Sequence, residues 1–118
     1  MKPIVKGKML TEFPTPENCF ITEIQNSTAY PGLSLAKARV NTGLRTELHI
    51  LKDTDEMYYI LSGTGEMEVG GELVGLVEPG DLVFIPRNIS QRIKNTGDND
   101  LLFLCICSPR FEPGNYQV

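Results

Sequence analysis

Hydrophobic and polar residues alternate along this chain in short runs, a pattern that is typical of β-strands rather than helices. Apolar segments recur every eight to twelve residues and are separated by turn-forming residues. No stretch of 12 or more residues shows helical periodicity. The pattern therefore predicts an all-β sandwich or barrel with no substantial helix. The strands are expected near residues 19–25, 34–40, 44–51, 56–61, 65–69, 72–77, 82–85, 90–95 and 101–107.

Turn signals separate the predicted strands where the backbone needs unusual dihedral angles. Ser62-Gly63 and Gly70-Gly71 fit tight hairpin turns, in which positive φ is required. Pro79-Gly80-Asp81 fits a turn in which proline fixes φ and glycine accepts the unusual angle. There is no internal repeat and no linker, so we expect one domain over residues 1–118.

The two ends of the chain are predicted to be arms on this domain, either irregular or forming edge strands. The N-terminal arm covers residues 1–18 and the C-terminal tail covers residues 109–118. Their apolar side chains are expected to pack on the barrel or on a partner subunit. These side chains are Met9, Leu10, Phe13, Phe111 and Tyr116.

Composition excludes several classes of partner. A chain of 118 residues suits one compact domain with a single core. Its formal charge of −4 and its scattered Lys and Arg residues argue against nucleic-acid and anionic-membrane surfaces. The longest apolar stretch, Leu101 to Cys107, is only seven residues, far too short to span a membrane. Three cysteines without an apolar signal segment predict free thiols and a cytoplasmic location.

Candidate chemistry lies in two glycine-framed segments. In the first, five residues separate Gly43 from His49, six separate His49 from Glu56, and six separate Glu56 from Gly63. In the second, Gly80, Pro86, Gln91 and Asn95 follow one another at similarly regular intervals. His49 is the only histidine of the chain.

The spacing of both segments resembles the two motifs of the cupin superfamily, and the resemblance covers about residues 34 to 108. It implies a small double-stranded β-helix, a jelly-roll-like barrel, with a site inside the barrel mouth. It also implies a homodimer and a small-molecule ligand. Asn88 stands where the second motif has a glycine, and we expect it to matter only for the turn, since asparagine tolerates positive φ.

The resemblance assigns a metal-ligand role to His49 and Glu56, while two other histidine positions are replaced. One falls on Leu51, which cannot bind a metal, and the other on Gln91, an amide oxygen donor. Because side chains two apart on a strand share a face, we expect Glu47 to point inward with His49. The predicted donors are therefore His49, Glu56, Gln91 and Glu47. Such a set suits a divalent ion such as Mn²⁺, Fe²⁺, Ni²⁺ or Zn²⁺.

An alternative without metal is also open. Glu56 and His49 would then be the catalytic acid–base pair, with a carboxylate whose pKa is shifted by burial, and the Gln91 amide would bind substrate. Tyr58, two residues from Glu56, is a candidate substrate contact, although simple packing is an equal alternative. Cys107 lies where the tail could close the mouth, and Arg45 could bind an anionic group or form a surface ion pair.

These residues favour two functions of different classes. The first is a metal-dependent isomerase or lyase that acts on a sugar or organic acid, by polarising a carbonyl or hydroxyl while a carboxylate moves the proton. Dioxygenase chemistry is a weaker variant, because facial-triad oxygenases use two histidines. The second function is a non-enzymatic binder or sensor of a small molecule, which the replaced histidines favour.

Overall fold

The computed structural model describes residues 3–118, and its regular structure consists almost entirely of β-strands. Two short 3-10 turns, Gly7–Met9 and Pro113–Asn115, are the helical elements of these residues, and neither could cross a membrane. The strands are β1 (Phe13–Pro14), β2 (Phe20–Gln25), β3 (Ser34–Val40), β4 (His49–Leu51), β5 (Asp55–Ser62), β6 (Gly65–Val69), β7 (Glu72–Val77), β8 (Leu82–Ile85), β9 (Ser90–Asn95), β10 (Leu101–Ser108) and β11 (Tyr116–Gln117).

The strands form two antiparallel sheets that pack face to face as a jelly-roll-like barrel. The first sheet has the order β1-β2-β3-β10-β5-β8, and the second has the order β11-β4-β9-β6-β7. Every named strand pair is antiparallel, as expected for sheets with one buried and one outward face. The prediction of an all-β barrel without substantial helix is confirmed.

Alternation along the strands places one row of side chains inside the barrel. On β5, Glu56, Tyr58 and Ile60 are buried while their neighbours are more exposed. On β9, Gln91 and Ile93 are buried in the same way. The inner rows of both sheets therefore meet in one core, as the alternating sequence pattern requires.

The predicted strands agree with the observed ones except before His49. Residues 44–51 were expected to form one strand, but β4 comprises only His49–Leu51. Arg45 makes an isolated bridge to Lys94, and the intervening residues are irregular. Both ends of the chain supply short edge strands, β1 in the first sheet and β11 in the second.

Turn chemistry explains the position of Gly63. Its φ is +84°, and a Cβ at this position would lie 2.6 Å from the Asp100 carbonyl oxygen. Only glycine avoids both the left-handed strain and this clash. Asn88 likewise has φ of +65°, as predicted for its place in the turn, and its Oδ1 accepts a hydrogen bond from the Asp53 N–H.

Candidate functional site

A cavity of about 190 Å³ lies inside the barrel between its two sheets. Its walls come from the inner rows of β2, β3, β5 and β10 and from β4. Side chains of the N-terminal arm and the tail, including Thr15, Phe111 and Tyr116, also line it and continue into a second depression beside it. We call this half of the barrel the open end.

Side-chain size explains why the barrel is hollow only at this end. On β3, the inner row reads Ser34, Ala36 and Ala38 along the cavity before it reaches Val40 in the packed core. The opposite half, which we call the closed end, is filled by Val40, Ile60, Met67, Ile93 and Leu101, each 0% exposed. Small residues thus leave space where larger aliphatic residues would remove it.

Glu56 on β5 is the central ionisable group of the cavity. The side chain is only 6% exposed, and burial raises the pKa of its carboxyl to about 7. The Gln91 amide and the Cys107 thiol lower that pKa, while the negative charge of Glu17 raises it further. Cys107 Sγ donates a weak hydrogen bond of 3.5 Å to Glu56 Oε2. Glu56 Oε1 has no hydrogen-bond partner among the described residues.

Gln91 on β9 supports Glu56 from behind the cavity wall. The Tyr58 hydroxyl donates a short hydrogen bond to Gln91 Oε1, which links the two sheets across the barrel. The Gln91 Nε2 group is near enough to influence Glu56, but it does not reach good hydrogen-bond geometry with any described residue. Because Tyr58 fixes Gln91 Oε1, the N–H groups of the same amide point toward Glu56.

His49 on β4 lines the cavity with its imidazole ring. Its Nδ1 lies 2.7 Å from the Glu47 carbonyl oxygen, so this nitrogen carries the proton that is donated. In the neutral ring Nε2 is then the acceptor. The ring also stacks on Tyr116 of the tail, with centroids 4.5 Å apart, which fixes its plane. His49, Glu56 and Tyr58 thus line one cavity, as the sequence suggested.

The prediction that Glu47 points inward is wrong. Glu47 is exposed, and its carboxylate accepts a hydrogen bond of 2.8 Å from the Tyr116 hydroxyl. The error arose because the chain before His49 is irregular, so strand alternation does not extend to residue 47. Arg45 is exposed as well, and its guanidinium pairs with Glu68 at 3.9 Å, outside the cavity.

The predicted donors therefore do not assemble a metal centre. Leu51 lines the cavity at one expected ligand position, and the oxygen of Gln91 already accepts a hydrogen bond from Tyr58. Within residues 3–118, no three His, Cys, Asp or Glu side chains are close enough to hold a metal ion together. With only His49 and Glu56 left as strong donors, the described residues fall short of the three protein ligands that a zinc site takes, so they do not fit a metal centre of that kind.

Three thiols also line the cavity, and two of them were not singled out from the sequence. Cys105 and Cys107 share the inner face of β10, since side chains two apart on a strand point the same way, and Cys19 precedes β2. All three are free. Burial raises the pKa of each thiol, so they stay protonated at neutral pH and act as weak polar wall groups rather than nucleophiles.

Glu17 and Glu23 are the charged cavity residues that the sequence reasoning missed. Both line the cavity, Glu17 half-buried in the N-terminal arm and Glu23 exposed on β2. No spacing rule links an arm residue to a barrel site, because its position depends on how β1 pairs with β2. Only the predicted packing of the arms on the barrel pointed in this direction.

Comparison with known proteins agrees with the barrel and its motifs. The cupin domain family matches residues 37–107. The chain is 35% identical over 106 residues to an uncharacterized protein of Methanocaldococcus jannaschii, covering 88% of this chain and 84% of that one. It is also 35% identical over 71 residues to an oxalate-binding protein of Thermotoga maritima, covering 60% of this chain and 58% of the relative.

Solved structures give the same fold at low identity. A nucleoside dehydratase of Streptomyces superposes with a TM-score of 0.83 at 16% identity, covering 99% of this chain and 90% of the other. At this identity the likeness concerns the fold alone. Since the family match spans more than half of the chain and agrees with the two-sheet barrel and both motifs, the chain belongs to the cupin family.

Proposed function

We propose that the protein binds a small polar metabolite in the open end of the barrel and that Glu56 moves a proton on it. The reaction would be an isomerisation or a lyase-type elimination. The observation that carries this proposal is the Glu56 carboxyl itself. It is buried in the cavity wall, and its Oε1 has no hydrogen-bond partner within residues 3–118. A buried oxygen without a partner is costly unless a ligand or water supplies one.

The environment of Glu56 suits acid–base work. A carboxyl with a pKa of about 7 is present in both protonation states at neutral pH, so it can accept a proton and return it. His49 Nε2 offers a second acceptor in the same cavity, since its Nδ1 proton is committed to the Glu47 carbonyl. Gln91, held by Tyr58, is a positioning residue whose amide lies near Glu56 and lowers the pKa of its carboxyl.

The experiment follows proton transfer directly. Small hydroxy and carbonyl compounds are screened for binding by thermal shift, and those that bind are incubated with the protein in D₂O. Wild type is expected to incorporate solvent deuterium at a carbon-bound position, and Glu56→Gln should lose about 100-fold or more of that rate while still binding. Glu66→Gln removes a carboxyl from the outward row of β6 and is the matched control.

The outcome separates the two classes of function. Exchange that persists in Glu56→Gln would contradict the role of Glu56. Binding without exchange in wild type would instead favour the non-enzymatic binder.

We further propose that this chemistry proceeds without a resident metal. The support is the donor set, in which Leu51 and the hydrogen-bonded Gln91 oxygen occupy two expected ligand positions. Metal analysis of untagged protein should give substoichiometric Mn, Fe, Ni and Zn, and EDTA should leave deuterium exchange unchanged. Near-stoichiometric metal that is lost in His49→Ala would contradict this proposal.

We also propose that the protein is a homodimer that pairs through the outer face of β10, β5 and β8. The outward residues there are apolar, and Tyr59, Leu61, Leu82 and Phe84 are 40%, 40%, 57% and 59% exposed. Tyr59 and Leu82 are register partners, so the patch is continuous across strands. An exposed apolar sheet face of this kind is typical of a subunit interface.

Light scattering of the purified protein tests the dimer. Wild type should have the mass of two chains, and Phe84→Lys should shift it to one chain. Leu76→Lys on β7 is the control, because Leu76 is 75% exposed but belongs to the other sheet. A monomeric wild type would contradict the proposal.

We place the protein in a reducing compartment such as the cytoplasm. Support comes from Cys19, Cys105 and Cys107, which are all free although they line one cavity. Proteins of oxidising compartments usually pair their cysteines. Detection of three alkylatable thiols in protein rapidly denatured from its native host would agree with this location.

A further inference from the structure

The charged groups that line the open-end cavity all have one sign. Glu17, Glu23 and Glu56 contribute carboxyl groups to its walls. Among residues 3–118, no Lys or Arg side chain lines the cavity. Arg110 lies close to the tail, but its guanidinium donates to Asn26 Oδ1 and pairs with Glu112. The negative charge inside is therefore not neutralised by the protein.

The Glu17 carboxylate of the N-terminal arm raises the pKa of several titratable groups around the cavity. The negative charge of Glu17 raises the pKa of Glu56, Tyr58 and Cys19, and it does the same for Cys105 and Tyr116. Glu17 itself lines the cavity and is half-buried, so its charge lies beside these groups rather than in bulk solvent alone. A negative charge in a partly closed apolar space attracts cations more strongly than it would in water.

Two polar atoms at the cavity wall are acceptors that a ligand could satisfy, one on Glu56 and one on His49. Glu56 Oε1 has no hydrogen-bond partner among the described residues, and the Glu56 side chain is only 6% exposed. In the neutral ring, His49 Nε2 is an acceptor, because Nδ1 donates to the Glu47 carbonyl. A ligand that satisfies these atoms must bring its own N–H or O–H donors, which an anion such as a dicarboxylate does not.

The remaining walls suit the carbon skeleton of a small organic cation. Aromatic rings reach the cavity from Phe13, Phe111 and Tyr116. Aliphatic side chains reach it from Ile21 and Leu35. Aromatic faces attract ammonium groups, and aliphatic walls accept the attached hydrocarbon. Carboxylates and rings together therefore favour an amine over a sugar.

We propose that the metabolite bound in this cavity is a small organic amine, held in its protonated form between the Glu17 carboxylate and Glu56. The proposal rests on the proposed function and narrows its substrate class. It replaces the sugar or organic acid that the sequence favoured, and an acid in particular would bring a carboxylate to Glu17, Glu23 and Glu56 without any counter-ion.

A matched series of probes tests the charge preference. Cyclohexylamine, cyclohexanol and cyclohexanecarboxylate share one ring but are cationic, neutral and anionic at pH 7. Each compound is titrated into the protein and followed by NMR. Shifts in the methyl signals of Ala36 and Ala38 report entry into the cavity, since both residues line it. The amine is expected to bind at least about tenfold more tightly than the carboxylate, an energy difference of about 1.4 kcal/mol.

Two variants localise the effect. Glu17→Gln should weaken the amine several-fold and leave cyclohexanol unchanged, because only a charged ligand feels the lost carboxylate. Glu72→Gln removes the same charge from the exposed strand β7 and should change neither affinity.

The outcomes separate this inference from the function on which it rests. If cyclohexanol or the carboxylate binds in the cavity as tightly as the amine, the charge preference is wrong while metabolite binding stands. An amine that keeps its full affinity in Glu17→Gln overturns the inference in the same way. If none of the probes shifts Ala36 and Ala38, and the hydroxy and carbonyl compounds also fail to bind, the proposed binding function itself fails.

Discussion

The open and closed ends of the barrel are built from the same strands but have opposite character. Along the inner row of β5, Glu56 and Tyr58 line the cavity, and Ile60 lies in the packed core. Along β10, Cys107 and Cys105 line the cavity, and Leu101 lies in the core. Alternation alone decides which side chains point inward, whereas their size and polarity decide whether the space is filled or available to a ligand.

Buried polar groups at the two ends differ in whether the protein satisfies their hydrogen bonds. Asn95, at the closed end of β9, donates from Nδ2 to the Val40 and Asn99 carbonyls and accepts from the Gly97 N–H. Its hydrogen-bonding groups are all engaged in structure. Glu56 and Gln91 at the open end each keep one atom without a partner in residues 3–118. Polar burial at the closed end therefore stabilises the fold, while at the open end it leaves the Glu56 oxygen, in the cavity wall, available to a ligand.

The largest loss of stability should come from a substitution that makes a cavity at the closed end. Ile60→Ala removes aliphatic volume from a residue that is 0% exposed and should lower the free energy of unfolding by about 3 kcal/mol. Urea denaturation measures the change. A loss below about 1 kcal/mol would mean that the closed end is not tightly packed.

Removing the buried charge at the open end should produce a pH-dependent change of similar size. The pKa of Glu56 is about 7 in the folded protein against an ordinary 4.5, so the unfolded chain releases its proton first as pH rises. The protonated Glu56 carboxyl contributes stability to the wild type that is fully present below pH 4.5 and is lost as the pH rises to about 7. The loss is about 3 kcal/mol.

Glu56→Gln carries no such proton, so its stability relative to wild type should improve by about that amount between pH 4 and pH 8. Urea denaturation at several pH values measures it, with Glu66→Gln as the control for loss of one carboxyl. A difference between Glu56→Gln and wild type that is constant with pH would contradict the assignment.

A smaller effect is expected from the hydrogen bond that joins the two sheets. Tyr58→Phe removes the hydroxyl that donates to Gln91 Oε1 and should cost about 1 to 2 kcal/mol, because it leaves a buried acceptor without its partner. Tyr59→Phe is the matched control on the exposed face of the same strand. Equal stabilities of the two variants would show that the hydrogen bond contributes little.

The smallest effect on stability should come from filling the open end. Ala36→Leu projects into the cavity rather than into packed side chains, so the free energy of unfolding should change by no more than about 1 kcal/mol. Binding of cyclohexylamine should nevertheless fall at least about tenfold, because the space is occupied. Strong destabilisation with unchanged binding would place the cavity elsewhere.

The strands were predictable from the sequence because the period of two is set by local geometry. The motif spacing likewise located His49, Glu56 and Gln91 correctly on β4, β5 and β9. Glu47 was misplaced because a few irregular residues interrupt the alternation, and nothing in the local sequence marks where pairing stops. Glu17 could not be found at all, since its contact with the cavity depends on long-range packing of the arm.

The most direct test of the account is a titration of Glu56 followed by carbon-13 NMR of its side-chain carboxyl. The account predicts a midpoint near pH 7, with the Gln91 side-chain amide shifting at the same midpoint, because the two groups are neighbours and Glu56 is buried without a counter-ion. A midpoint at the ordinary value of 4.5 would contradict it, since a carboxyl that is fully charged throughout the neutral range cannot serve as the proton donor of the open end.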